Sequence, residues 1–147
     1  MRNELLIICF IIMLFGICCS GRRPGNIGVS NGKLGPCPES PNCVSSFASD
    51  PEHAVAPLDY KDSTMEAFAR LRKVLSEMKR TVIITKKEDY IHAEVTSFFF
   101  RFVDDIEFYF PASESIIHVR SASRIGHSDL GVNRRRVEEI RGEFSKK

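Results

Sequence analysis

The chain has 147 residues, enough for one domain of ordinary size and too few for two comfortable ones. Charged residues make up 27% and the formal net charge is +2, which excludes a polyanion-coating basic protein and a disordered acidic tail alike. Hydrophobic residues make up 43%, but fifteen of the first 19 residues are apolar or Cys, so the rest must build its core from a modest apolar share.

Met1 to Cys19 reads as a targeting segment. Arg2 and the terminal amine supply a short positive start, offset by Glu4, and the apolar run Leu5 to Ile17 is broken only by Gly16. That run falls short of the roughly 20 residues a spanning helix needs and has the length of a signal-peptide core. A Cys closing such a run resembles the lipobox of bacterial lipoproteins, which implies acylation at Cys19 or Cys18. Neither Gly16-Ile17-Cys18 nor Phe15-Gly16-Ile17 has the usual small residue after a Leu, so an uncleaved anchor and a cleaved soluble form stay open. Arg22 and Arg23 after the run also keep a cytoplasm-facing domain open. Residues 20–34, rich in Gly, Asn and Ser, read as a flexible tether to a single domain over 35–147.

Cys37 and Cys43 flank Pro38-Glu39-Ser40-Pro41-Asn42, where two prolines restrict the backbone and favour a tight turn. In an exported chain a close pair points to a disulfide; redox-active thiols or a metal remain open, though the loop offers no further ligands.

Asp50 to Asp59 reads as an extended connector. A first helix opens at Ser63, with Glu66 at capping-box spacing, and Met65, Phe68, Leu71, Leu75 and Met78 form its apolar stripe. Four strands follow: Thr81 to Thr85, Tyr90 to Thr96, about Phe100 to Phe110, and Ser115 to Ser121. Alternation puts Ile91, Ala93, Ile106, Phe108 and Val119 inward. His92, Glu94, Arg101, Asp105, Glu107, His118 and Arg120 then point outward. A second helix spans roughly Val132 to Phe144. The expectation is an α+β fold in two layers, a four-stranded antiparallel sheet with both helices on one face and the other face polar and solvated.

That polar face reads first as weak cross-strand pairs. Its histidines and carboxylates also form a donor set for a divalent metal. Asp104 is in phase with the core, so it must be re-aimed by a bulge or paired, and its expected partner is an arginine. Arg134, Arg135 and Arg136 crowd the opening of the second helix, where the backbone dipole favours anions. Either internal carboxylates offset them, or Arg120, Arg124, Arg134 and Arg136, ordered by Asp129 and Asn133, form a pocket for a phosphate, carboxylate or lipid headgroup. The rival is a hydrolase or isomerase using Asp104 or Asp105 with His92 or His118 as acid and base. No nucleophile elbow, phosphate loop or two-His zinc motif occurs, so no cofactor is expected, and the charge balance asks for no nucleic acid.

Four ordered blocks carry a resemblance: Cys37 to Ser46, His92-Ala93-Glu94, Phe102 to Phe108, and Arg120 to Arg136. Together, over about Leu34 to Phe144, the chain resembles the domain-of-unknown-function family 1499, found in bacterial lipoproteins and envelope proteins and in lumenal proteins of photosynthetic organisms. The resemblance implies an exported, membrane-anchored protein facing the periplasm or cell exterior. The expected function is non-enzymatic binding of an envelope partner protein or a small anionic ligand, with the membrane reached through the N-terminal lipid or anchor.

Overall fold

The computed structural model describes residues 21–146; the targeting segment, with Cys18 and Cys19, and Lys147 lie outside the described residues. The first elements are a hairpin of two short strands, β1 (Val29–Ser30) and β2 (Lys33–Leu34). Asn31 and Gly32 turn it with φ of 50° and 71°, the backbone a tight two-residue hairpin turn requires. Then come β3 (Cys43–Ser45), β4 (Leu58–Asp59) and helix α1 (Thr64–Glu77). The meander β5 (Thr81–Lys87), β6 (Tyr90–Thr96), β7 (Val103–Tyr109) and β8 (Ile116–Ser123) leads into helix α2 (Val132–Lys146).

The α1 cap is local and forms as expected. Ser63 Oγ accepts from the Glu66 amide at 3.2 Å, and Glu66 Oε2 accepts from the Ser63 amide at 3.0 Å. The apolar stripe differs. Ala67, Leu71, Val74 and Leu75 are buried and Phe68 and Met78 partly so, whereas Met65 is 79% exposed. Two successive steps of three residues rotate the stripe by about 120°, which swings Met65 off the face that Leu71 fills.

The expected four-stranded sheet has six strands, all antiparallel, in the order β3-β8-β7-β6-β5 with β4 also paired to β8. The two additions come from stretches read as loop and connector. Strands of two or three residues show no alternation, so nothing local marks them. Long β8 makes room for both: Arg120 to Ala122 pair with β3, and Ile116 and Ile117 with β4. Strand β7 starts at Val103 rather than Phe100, and β8 runs on to Ser123.

Both helices cover one face, closing a core that includes Leu71, Leu75, Ile91, Ile106, Phe108, Ile117, Val137, Ile140 and Phe144. The opposite face is not solvated. Residues 21–34, expected to stand off as a tether, fold back over it: the Gly28 amide donates to Glu107, Arg23 pairs with Glu94, and Leu34 is buried. The sheet is thus covered on both sides, by helices on one and by the N-terminal hairpin on the other.

Candidate functional site

Strand register sets the site. On the hairpin side, Tyr90, His92 and Glu94 of β6 stand beside Tyr109, Glu107 and Asp105 of β7, and Glu107 faces Arg120 of β8. Five ionisable side chains here, Tyr90, His92, Asp105, Glu107 and Arg120, are buried, so each needs a partner. Arg120 Nη1 donates to Glu107 Oε2 at 2.9 Å, while Glu107 Oε1 accepts from Tyr90 Oη and the Gly28 amide, both at 2.7 Å. Arg124 clamps Asp105 through two bonds of 2.7 and 2.8 Å and reaches Glu94 at 2.5 Å. His92 Nε2 lies 2.8 Å from Asp105 Oδ1, and Arg23 adds a second cation on Glu94.

The charges settle one another. Burial disfavours the Asp105 carboxylate, yet Arg124 and His92 outweigh it and hold the pKa down at about 2. Glu94 is lowered in the same way, burial being overcome by Arg23 and Arg124. Tyr90 is driven far upward by burial and by the neighbouring Glu107 charge. Asp105 and Glu94 in turn raise Arg124.

His92, Glu94 and Asp105 bring one ligand atom each within 4.8 Å of one another, the geometry of a small cation site. The guanidinium of Arg124 already bridges the two carboxylates there, and a divalent ion would have to displace it.

The remaining sequence candidates lie elsewhere. Asp104 faces the helix side, opposite Asp105, in a ladder with Val95 and Ser123 that continues without a bulge. Its carboxylate meets Arg136 Nη2 at 2.5 Å. Arg136 also donates to Asn133 Oδ1 and Ser121 Oγ, and Asn133 Nδ2 binds the Asn42 carbonyl and Ser123 Oγ, tying the start of α2 to β3 and β8. Asp129 caps α2 through the Gly131 and Asn133 amides, offsetting the arginines there. Arg134 donates to the carbonyls of Pro51, Glu52 and Ala54. His118 binds Ser46 Oγ at 3.0 Å and stacks on Phe47 at 3.9 Å, away from the Asp105 cluster. The two aspartates therefore point to opposite faces, and His118 joins neither. Arg120, Arg124, Arg134 and Arg136 do not converge on an open pocket: each is engaged inside the fold.

Sequence reasoning missed Tyr90, Arg23 and the Gly28 amide as partners of this layer. Asn31-Gly32 is the one local signal that the Gly-rich segment forms a hairpin. It also missed the loop after β6, where Phe98, Phe99 and Phe100 are 65%, 83% and 72% exposed; the three consecutive Phe were the visible sign. Cys37 and Cys43 form a disulfide.

A two-layer α+β domain with an ionic layer sealed between its sheet and its N-terminal hairpin is the class these features define. The chain belongs to the family described as protein of unknown function (DUF1499), whose model matches residues 33–144. No curated protein and no solved structure matches the chain.

Proposed function

We propose that the protein is an exported, membrane-tethered domain of the cell envelope that acts by binding, with an envelope protein or lipid surface as its partner, and not by catalysis. The observation that carries this reading is the closure of the charged layer. The acid–base candidates Asp105 and His92 are buried against each other beneath Arg124, and Asp104, though it reaches the wall of a cleft, has its carboxylate paired with Arg136, so each of these candidates is committed to an internal ion pair. The same closure weighs against a small anionic ligand, because the arginines that would hold it already have partners. The Cys37–Cys43 disulfide supports an oxidising compartment, and the apolar run ending at Cys18-Cys19 supports a tether.

Non-reducing intact mass of the full chain extracted from membranes tests the address. A mature N-terminus at Cys18 or Cys19 carrying acyl chains, with Cys37 bridged to Cys43, is expected. An intact Met1 with both thiols free would overturn it. Complementation of a deletion strain tests the rest: a folded, exported His118→Gln chain is expected to complement, and its failure would return the domain to acid–base chemistry.

A further inference from the structure

The loops at one end of the sheet share a character found nowhere else among the described residues. Phe98 and Phe99 meet edge to face with centroids 4.9 Å apart, and Phe100 stacks on Phe102 at 5.4 Å, so the aromatic residues pack on one another instead of on the core. Across from them Leu130 is 85% exposed. Arginines border this apolar surface. Arg101 is exposed within the loop, Arg80 binds the Thr96 carbonyl at 3.0 Å with its guanidinium 5.6 Å from the Phe98 ring, and Arg135 reaches the Leu130 carbonyl at 2.8 Å. Arg80, Arg101 and Leu130 hold φ of 58°, 58° and 55°, a left-handed backbone that disfavours side chains. Three of the four such non-glycine residues described lie at this end, where the fold tolerates backbone strain while leaving apolar side chains in water.

Chain path says what covers them. Gly21 lies against Arg124 and Ile125, so close that a Cβ there would come within 2.9 Å of both. Ile125 lines a cleft of about 210 Å³ together with Ser97, Phe102 and Val132, at the foot of the same loops. From Ile17, the end of the apolar run, to Gly21 is four residues, which reach at most about 14 Å. On the tethered reading, a link that short keeps this end of the domain close to the bilayer.

We propose that this end is a membrane-docking face, with Phe98, Phe99 and Phe100 inserted among the acyl chains and Arg80, Arg101 and Arg135 at the anionic headgroups. The proposal rests on the tethered reading above and adds the orientation of the domain. Aromatic insertion with a basic rim is what binding to an anionic membrane interface requires.

The chain has no Trp, so Phe99→Trp gives a single reporter. Met65→Trp, exposed at the far end of α1, is its control. Each full-length variant is reconstituted in vesicles of phosphatidylcholine and phosphatidylglycerol in equal parts, floated, and read by fluorescence with acyl-brominated lipids. The Phe99→Trp chain is expected to emit at shorter wavelength and to be quenched several-fold more than the Met65→Trp chain. Adding Phe98→Ser and Phe100→Ser is expected to lower the inserted fraction about tenfold or more. Omitting phosphatidylglycerol is expected to weaken the quenching. A Phe99→Trp chain that floats but emits as in water, unquenched, would overturn the docking face and leave the tether standing. Short-wavelength emission insensitive to bromine would assign the loop to a protein partner or a second copy and equally overturn it. A chain that does not float would overturn tether and docking face together.

Discussion

The middle of the sheet and its loop-bearing end treat polarity in opposite ways. Under the N-terminal hairpin the fold takes Asp105, Glu107, Arg120 and His92 out of water and answers each charge with a neighbour. At the end where α2 begins it leaves Phe98, Phe99, Phe100 and Leu130 in water with little beneath them. The buried layer costs desolvation and is retained by pairing; the exposed end costs apolar hydration and has no internal compensation. The charged cluster in this sequence is therefore a poor guide to the exposed surface, because Asp105, Glu107 and Arg120 are turned inward.

Breaking the layer should have the largest effect. Asp105→Ala removes the partner of both Arg124 and His92 and leaves a guanidinium buried without its main anion. Urea denaturation is expected to show a loss of about 3–5 kcal/mol. Adding Arg124→Met should recover part of it, since a packed apolar pair needs no charge compensation. A single-variant loss under about 1 kcal/mol would mean the layer tolerates an open charge, as a ligand site would, and the contrast with the loop end would collapse.

Lowering the pH probes the same layer without mutation. Asp105 has its pKa depressed to about 2, so its contribution is fully present above the ordinary carboxylate value near 3.9 and is lost as pH falls through about 2. This amounts to about 2–3 kcal/mol, read as denaturation free energy across the acid range. The Asp105→Asn chain should lack that part of the slope.

The fold beneath this contrast was partly legible and the contrast itself was not, and the reason lies in range. The Ser63–Glu66 capping box and the alternation of β6 to β8 are written within a few residues, so fold class, helix start and inward face could be read directly. The phase of Asp104 asked for a bulge or a partner, with an arginine expected, but only the packing of α2 on the sheet selects Arg136. Arg134 looked like an anion ligand because its true partners, the carbonyls of residues 51, 52 and 54, lie about eighty positions away. The Gly-rich segment looked like a tether because its hold on the sheet runs partly through a backbone amide, Gly28 to Glu107, and the Arg23 pair with Glu94 spans 71 positions. Phe100 looked like the start of β7, and the positive φ at Arg101 that separates it from the strand has no signature in a non-glycine residue.

Two histidines outside the layer sharpen the comparison on a smaller scale. Burial opposes protonation of His53, but hydrogen bonds to Asp50 and to the Ser40 carbonyl outweigh it and raise its pKa. The stability it contributes is present below the ordinary imidazole value and lost as pH rises through the raised one. His118, desolvated beside Phe47 with only a weak opposing pull from Glu114, is lowered and favours its neutral form. NMR titration of the ring protons should place the two midpoints on opposite sides of about 6.5. Asp50→Asn should bring His53 down without moving His118. Coincident midpoints would mean that pairing inside this fold does not control charge as the layer requires.

The smallest expected effect is the one that separates the two regions most sharply. If Phe98, Phe99 and Phe100 face outward for a partner, they contribute almost nothing to folding, and replacing all three by serine removes the Phe98–Phe99 contact and contacts to Phe102 and Arg80, all within or beside the loop. Free energy of unfolding in detergent-free buffer is expected to change by less than about 0.5 kcal/mol, as for surface sites. A loss of about 2 kcal/mol or more would place the loop in the core's service and withdraw it as a docking element. A small gain would be informative too, because exposed aromatic residues can be partly covered in the unfolded chain and so favour that state. Set beside the loss at Asp105, a near-zero change would show that folding depends on the pairing within the charged layer and not on the three phenylalanines.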